Sequence, residues 1–367
     1  MYNILDNCII LGINPGSTST KIALWKGRNT VFSGSVSHSS EELSVFDSVK
    51  DQLNYRMQAM EKLLSPFESY LKEMCIVMGR GGLLPPVPSG IFPMNALLSD
   101  YLANNKTGEH ASNLGGLLAN LMVRKYPQAV AYICDPVGVD EFDELARISG
   151  HPAFIRKSFY HPLNHKAVAR RHAGIVGKQY EDLNLIIAHM GGGITVGAHR
   201  KGRVVDVNNG LDGDGPFTPE RAGTIPAGDL AKLCFSGQYT HKEIKRMLTG
   251  QGGLLAYLGT IDAREVEKRV AAGDESAEVI YKAMAYQVSK EIGAMFTVLS
   301  GDVDGILLTG GLAFSELFVG YIRERIGRLG QIFLYPGEDE MGALLTNSQL
   351  ILEGKANIIH FDHSFLT

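Results

Sequence analysis

Two stretches of this chain carry the residue types that hold an anion through backbone and hydroxyl donors. Asn14, Pro15, Gly16, Ser17, Thr18, Ser19, Thr20 and Lys21 follow the apolar run 9–13 and precede another at 22–25. Apolar run, turn residues and apolar run again is the pattern of a β-hairpin. At its tip Gly16 lets the backbone approach a ligand, the four hydroxyl residues offer amides and hydroxyls, and Lys21 adds positive charge. Phosphate suits such a tip; an ordinary polar turn is the competing reading. A P-loop is excluded, because no Gly-Lys-Ser/Thr follows at the required spacing and 22–25 reads as strand. A second tip, His189, Met190, Gly191, Gly192 and Gly193, lies between the strand-like runs 183–188 and 195–199. Two such hairpins, one in each half, point to an internally duplicated architecture with a nucleotide between the halves.

The remaining candidates sit where apolar strands end. Arg80 follows the strand-like run 75–78 and opens a Gly/Pro-rich loop with Gly79, Gly81, Gly82, Pro85 and Pro86, and Asp135 follows the run 129–134. Asn14, Arg80 and Asp135 thus share one edge of a predicted sheet, the edge at which α/β proteins bind ligands. Arg80 and Asp135 forming a structural ion pair is the other reading. His161 and His165 precede a helix expected from 166, where they cap it or, in another context, bind metal; no carboxylate or cysteine lies at matching spacing. Glu338, Asp339 and Glu340 form an acidic turn ahead of a helix at 341–353. Gly310 and Gly311 end the apolar run 304–309, which fits either a flat ligand such as adenine or tight strand–helix packing.

These residues need elements to position them. The sequence predicts three short strands over 8–37, a helix over 46–72, helices at 95–104 and 111–125, and a restart of the pattern near Arg156, where we place the domain boundary. The longest predicted helix, 275–299, carries Ile280, Met284, Val288, Ile292, Met295 and Leu299 on one face and reads as core.

A length of 367 residues favours two domains, and 45% hydrophobic with 20% charged residues describes a globular protein. A net charge of −4 offers no basic footprint, which argues against nucleic acid as a partner. No apolar run reaches the ~18 residues of a membrane span, and no basic stretch followed by a long apolar run opens the chain, so no membrane partner and a cytoplasmic location are expected. Cys8, Cys75, Cys134 and Cys234 form no Cys-x-x-Cys pair and read as small hydrophobes in a reducing compartment.

Taken in order, Asn14 to Lys21, Gly79-Arg80-Gly81-Gly82, Asp135, Phe159-Tyr160-His161 with His165, His189 with Gly191 and Gly193, Phe217-Thr218-Pro219 and Thr309-Gly310-Gly311 resemble the acetate kinase (acetokinase) family, and within it the butyrate kinases. The resemblance spans nearly the whole chain. It implies an α/β fold of two duplicated ribonuclease H-like lobes, that of the acetate and sugar kinase, heat-shock chaperone and actin superfamily, with ATP in the interdomain cleft. It also implies an N-terminal acceptor-binding lobe at 1–156, completed by the C-terminal helix 342–367, and a nucleotide-binding lobe at 157–341, closing about a hinge near Arg156. The implied reaction is phosphoryl transfer from ATP, with Mg²⁺, to a small-molecule carboxylate such as butyrate, by a homodimer.

The roles that the resemblance implies follow residue by residue. Arg80, Asp135 and His161 are catalytic; Asn14, Gly16, Ser17, Thr18, Ser19, Lys21, His189, Gly191, Gly192, Gly193, Gly310 and Gly311 bind the nucleotide; Glu340 and Asn14 hold the metal; Gly82, Tyr160 and Pro219 line the acceptor pocket. Two departures stand out. The second arginine of the family's Gly-Thr-Arg segment is missing from Gly223-Thr224-Ile225-Pro226, leaving Arg221 as the nearest substitute. Where acetate kinases carry valine, this chain has Gly82, and the lost side chain is expected to free room for a longer acid.

Overall fold

The computed structural model describes residues 7–104 and 106–366. The chain forms two compact units, Met1–Val139 with Asp339–Thr367, and Asp140–Glu338. The first is built on β1 (Ile9–Pro15), β2 (Ser19–Lys26), β3 (Asn29–Ser37), β4 (Met74–Arg80), β5 (Ile91–Pro93) and β6 (Val130–Cys134), in the order β3-β2-β1-β4-β6-β5. β1 is an unbroken run of buried residues, as a central strand covered on both faces must be, whereas β3 has no buried residue and lies at the edge. β1 pairs antiparallel with β2 through the predicted hairpin and parallel with β4. The helix Asn113–Lys125 lies so close to β4 that a Cβ on Gly79 would stand 2.4 Å from the Gly115 carbonyl oxygen.

The second unit is built on β7 (Asn184–Met190), β8 (Ile194–Arg200), β9 (Arg203–Val207), β10 (Gly305–Gly310) and β11 (Ile332–Pro336), in the order β11-β10-β7-β8-β9. With β7 set against β1, this is the order and direction of β6-β4-β1-β2-β3. The register also shifts once in the same place, between Leu24 and Trp25 in one unit and between Ala198 and His199 in the other. The duplication read from the two hairpins therefore extends over five strands, to which the first unit adds β5. The long helix Glu275–Val298 buries Met284, Val288, Ile292 and Met295 in the core of this unit.

The units divide at Val139/Asp140 and Glu338/Asp339, where the sequence suggested 156/157 and 341. The reason is pairing. The Asp143 amide donates to the Val205 carbonyl at 3.0 Å and Arg156 pairs with Asp206 at 2.9 Å, which ties 140–156 to the edge strand β9. The predicted helix over 46–72 is interrupted: Leu53–Leu64 is continuous, and Pro66 begins a separate turn.

Candidate active site

In the first unit the β1–β2 hairpin closes with the Gly16 amide donating to the Ser19 carbonyl at 2.8 Å. The amides of Ser17 and Thr18 find no acceptor among the described residues, and both residues are exposed. What holds the tip in this shape is Arg56, which lies in the helix predicted over 46–72 and to which the sequence assigned no role. Its guanidinium, 1% exposed, donates to the carbonyls of Gly16 (2.9 Å), Ser17 (3.0 Å) and Ser19 (3.0 Å), to Thr20 Oγ1 (3.1 Å) and to Gln52. Arg56 thus takes up carbonyls of the tip, while the Ser17 and Thr18 N–H groups have no acceptor among the described residues. No carboxylate pairs with Arg56 among the described residues, so its charge stands uncompensated behind the tip. Burial pulls its pKa down from the ordinary value, yet a guanidinium remains charged. Lys21, opposite Asn14 in the ladder, is exposed.

At the ends of β1 and β4 the predicted residues meet in one cluster. Arg80 grips Glu340 with both ends of its fork, Nη1 to Oε2 and Nη2 to Oε1 at 3.0 Å each. Asn14 Nδ2 donates to the same carboxylate at 2.7 Å, and its Oδ1 lies 3.4 Å from Arg80 Nη1. Such a two-pronged, charge-assisted pair fixes the guanidinium plane. Arg80 thus has its carboxylate from Glu340. Asp135, one residue beyond Cys134 that pairs with Arg80 in the β4–β6 ladder, is buried, accepts from Ser89 Oγ at 2.6 Å and is held at φ 37°. Positive φ in a non-glycine residue is strain of the kind that collects at functional sites.

Gly82 does not open a pocket. A Cβ there would lie 2.6 Å from Asn113 Oδ1 and 2.8 Å from Leu102 Cδ2. Asn113 is itself fixed, accepting from the Leu83 amide at 2.8 Å and donating to the Gly108 carbonyl at 3.0 Å. The room expected for extra methylenes is filled, so Gly82 serves close packing.

In the second unit the β7–β8 tip repeats the design with different support. The Gly191 amide donates to the Gly193 carbonyl at 3.0 Å, and Thr218 Oγ1 donates to the Gly192 carbonyl at 2.7 Å. The amides of Gly192 and Gly193 have no acceptor among the described residues. A Cβ at position 193 would meet Arg221 Nη1 at 2.8 Å and His161 Cε1 at 3.2 Å, so a side chain there would displace the guanidinium. Arg221 and His161 therefore flank the same loop. Arg221 is anchored through Nη1 on the Gly210 carbonyl while its Nε is buried without a hydrogen bond, and burial lowers its pKa. His161 stacks on His189 with ring centroids 4.0 Å apart, and His189 reaches Asn164 Oδ1 at 2.9 Å and Glu338 Oε1 at 3.2 Å.

The sequence missed what lies behind His161. His161 Nδ1 is 2.9 Å from Thr195 Oγ1, which is 3.0 Å from His165 Nε2; His165 Nδ1 is 3.1 Å from His199 Nε2, and His199 Nδ1 is 2.7 Å from the Tyr180 hydroxyl. His165 is thus neither a cap nor a metal ligand. Burial, foremost, holds the pKa of both His165 and His199 well below the ordinary histidine range, with nearby Lys166 adding to it. Tyr160 is buried edge-on to His165, and Pro219 is buried. Gly310, at φ 88°, packs against Met190 so closely that a Cβ would be 2.4 Å from its carbonyl oxygen, whereas nothing lies within 4 Å of a Cβ on Gly311. Packing accounts for Gly310; only Gly311 is open to a ligand.

The sequence model of the acetokinase family matches residues 149–326. A probable butyrate kinase of Listeria monocytogenes is 49% identical over 345 residues, covering 94% of this chain and 97% of the relative. Butyrate kinase 2 of Clostridium acetobutylicum is 46% identical with the same coverage, 94% and 97%. Among solved structures, Porphyromonas gingivalis acetate kinase superposes with a TM-score of 0.77 at 18% identity, over 94% of this chain and all of that one. A propionate kinase of Francisella tularensis gives a TM-score of 0.75 at 18% identity, over 96% of this chain and 100% of that one. The fold is that of these kinases, and the chain belongs to the acetokinase family.

Proposed function

We propose that this protein transfers the γ-phosphoryl group of ATP to a short-chain carboxylate, with butyrate the preferred acceptor, giving butyryl phosphate and ADP. The observation that carries the reading is a repeated one. Each unit ends its central strands in a tight hairpin with unpaired amides, and each sets arginine close to it, Arg80 at the end of the neighbouring strand in one and Arg221 against the loop in the other. The near full-length likeness to proteins named butyrate kinases supports the choice of acid.

Phosphoryl transfer needs positioning and charge neutralisation more than covalent work from the protein. In this reading the Ser17, Thr18, Gly192 and Gly193 amides hold phosphate oxygens, with Gly16, Ser19, Lys21 and Gly191 shaping and charging the same loops. Glu340 occupies one edge of the Arg80 fork, and the outer N–H groups of Arg80 bind the acceptor carboxylate or the γ-phosphate. His161 and Arg221 neutralise charge on the transferring group, with His189 behind His161, and Asp135 fixes the approach to Arg80. Tyr160 and Pro219 wall the acceptor, and Gly311 admits the adenine.

Mg²⁺ fits the donor set. It takes one or two carboxylates, keeps several waters and draws its other ligands from phosphates, and no group of three acidic or soft ligands exists among the described residues to suit a metal caged by protein alone. Glu340, whose Oε1 accepts from Arg80 alone and so retains a lone pair, and Asn14 would hold it. Bound there, it would neutralise phosphate charge.

No helix among the described residues is long and apolar enough to cross a membrane; a cytoplasmic homodimer is part of the same reading. Incubation with ATP, Mg²⁺, hydroxylamine and C2 to C5 acids tests the function. Hydroxamate should form fastest with butyrate, and its absence with every acid, ATP binding intact, would leave a nucleotide-switched binding protein instead.

A further inference from the structure

The chain of contacts behind His161 runs through four side chains, and its hydrogen atoms can be assigned. A neutral imidazole carries one donor and one acceptor nitrogen, and a hydroxyl has one hydrogen to give. His165 and His199 are fully buried, with burial opposing their charged forms, so each is a neutral ring with a single N–H. At the inner end the partners are a phenol and an imidazole nitrogen 2.7 Å apart. Phenol is the stronger acid and imidazole nitrogen the better acceptor, so the Tyr180 O–H donates to His199 Nδ1. The Thr195 hydroxyl, which takes the His165 N–H, has no acceptor for its own hydrogen among the described residues other than His161 Nδ1, so every later bond follows in the same direction. His199 Nε2–H donates to His165 Nδ1, His165 Nε2–H to Thr195 Oγ1, and the Thr195 hydroxyl to His161 Nδ1.

We infer that Tyr180, His199, His165 and Thr195 form a one-way hydrogen-bond chain that fixes His161 with its proton on Nε2. They are positioning residues, since none of them is assigned a contact with a reactant. The sheet is built to admit the chain. Thr195 and His199 lie four apart on β8 and so on one face, Gly197 stands between them, and a Cβ there would be 3.3 Å from His165 Nδ1. The consequence for chemistry rests on the phosphoryl-transfer reading: His161 offers an oriented N–H to an anionic oxygen, with no reorientation needed as charge develops. The tautomer itself does not rest on that reading.

The experiment is a long-range ¹H–¹⁵N correlation spectrum of the whole protein labelled with ¹⁵N-histidine, with His161 assigned by the signal lost in His161→Gln. The expected wild-type spectrum gives His161 a pyrrole-type Nε2 and a pyridine-type Nδ1. Tyr180→Phe removes the donor that sets the direction, so the two His161 nitrogens should lose that distinction, and kcat should fall roughly fivefold to tenfold while KM for ATP and butyrate stays within about twofold. In His199→Gln the amide still donates on one side and accepts on the other, and His161 should keep its tautomer. His161 protonated on Nδ1 in the wild type overturns the inference, as does a Tyr180→Phe spectrum in which His161 is unchanged. Should Tyr180→Phe not fold, the wild-type spectrum decides alone. An inactive wild type that shows the expected tautomer would count against the function and not against the chain.

Discussion

The β1–β2 and β7–β8 hairpins occupy the same place in two sheets of the same topology, yet they are supported by opposite means. Behind the first lies a buried charge, Arg56, bonded to carbonyls of the turn and matched by no carboxylate among the described residues. Behind the second lie neutral rings, His165 and His199, whose burial opposes charge, with Lys166 nearby but paired with Glu141, and Arg221 stands at the front of the loop beside His161. Duplication preserved the strand order and even the register shift while the electrostatics diverged. The first hairpin can hold an anion with a constant field, because a guanidinium does not titrate in the working range. In the proposed transfer the second would supply oriented N–H groups and one arginine where charge moves, and preorganised donors in such places carry most of a rate enhancement.

Removing each cation tests that contrast. Arg221→Met should lower kcat/KM about a hundredfold, mostly in kcat, because a donor that acts on developing charge is lost. Steady-state kinetics with butyrate measure this, and an unchanged kcat/KM would mean that Arg221 does not stand in for the family's missing arginine. Arg56→Met should act on binding and folding. We expect KM for ATP to rise about tenfold and stability to fall by about 3 kcal/mol, since several buried acceptors lose one charged donor. Arg56→Lys separates the two effects: it keeps the charge but cannot reach four acceptors at once, so ATP affinity should recover more than the melting temperature does. A kcat effect for Arg56→Met as large as that for Arg221→Met would erase the distinction between the hairpins.

Both hairpins were legible in the sequence because glycine and hydroxyl residues between two apolar runs leave little but a turn. Their supports were not. Arg56 received no role, although it lies on the stripe of Leu53, Met57, Met60 and Leu64, and that position was a usable signal. His165 and His199 lie far apart in the sequence, and only the packing of the helix Pro162–Ile175 on β8 brings them together. The paired i,i+4 spacings of His161 with His165 and of Thr195 with His199 were the available hint. Glu340 was singled out through the resemblance as a metal ligand, and its grip on Arg80 was not legible, because 260 residues separate the partners. Gly82 shows the opposite error: an absent side chain was read as space, and here it is a contact with Asn113. Gly82→Val should therefore leave the order of preference among C2 to C5 acids unchanged and destabilise the protein by about 2 kcal/mol, as overpacking does. Thermal melts beside the acid panel check this, and a clean shift towards acetate in a stable variant would restore the pocket.

The smallest effect is the response to acid, and it should fall unevenly on the two units. His165, His199 and His172 in the second unit have pKa values lowered by burial, the first two strongly; in the first unit His38 is lowered and Arg56 does not titrate. For a group whose pKa is lower in the folded state, the unfolded chain takes up protons first as the pH drops below about 6.5. Stability is then intact above that pH and declines below it, by about 1.4 kcal/mol per pH unit for each strongly depressed group until its folded pKa is reached. Between pH 6.5 and 5 Glu291, pushed by burial up to about 7, keeps its proton in the folded chain and offsets one such group, while most other carboxylates are still ionised, so the loss that remains belongs to the histidines. Amide exchange compared at these two pH values should show β7 and β8 losing protection while β1 and β2 keep theirs. Earlier loss in β1 and β2 would place the acid-sensitive support behind the wrong hairpin, and with it the assignment of His165 and His199 as rings kept neutral by the fold.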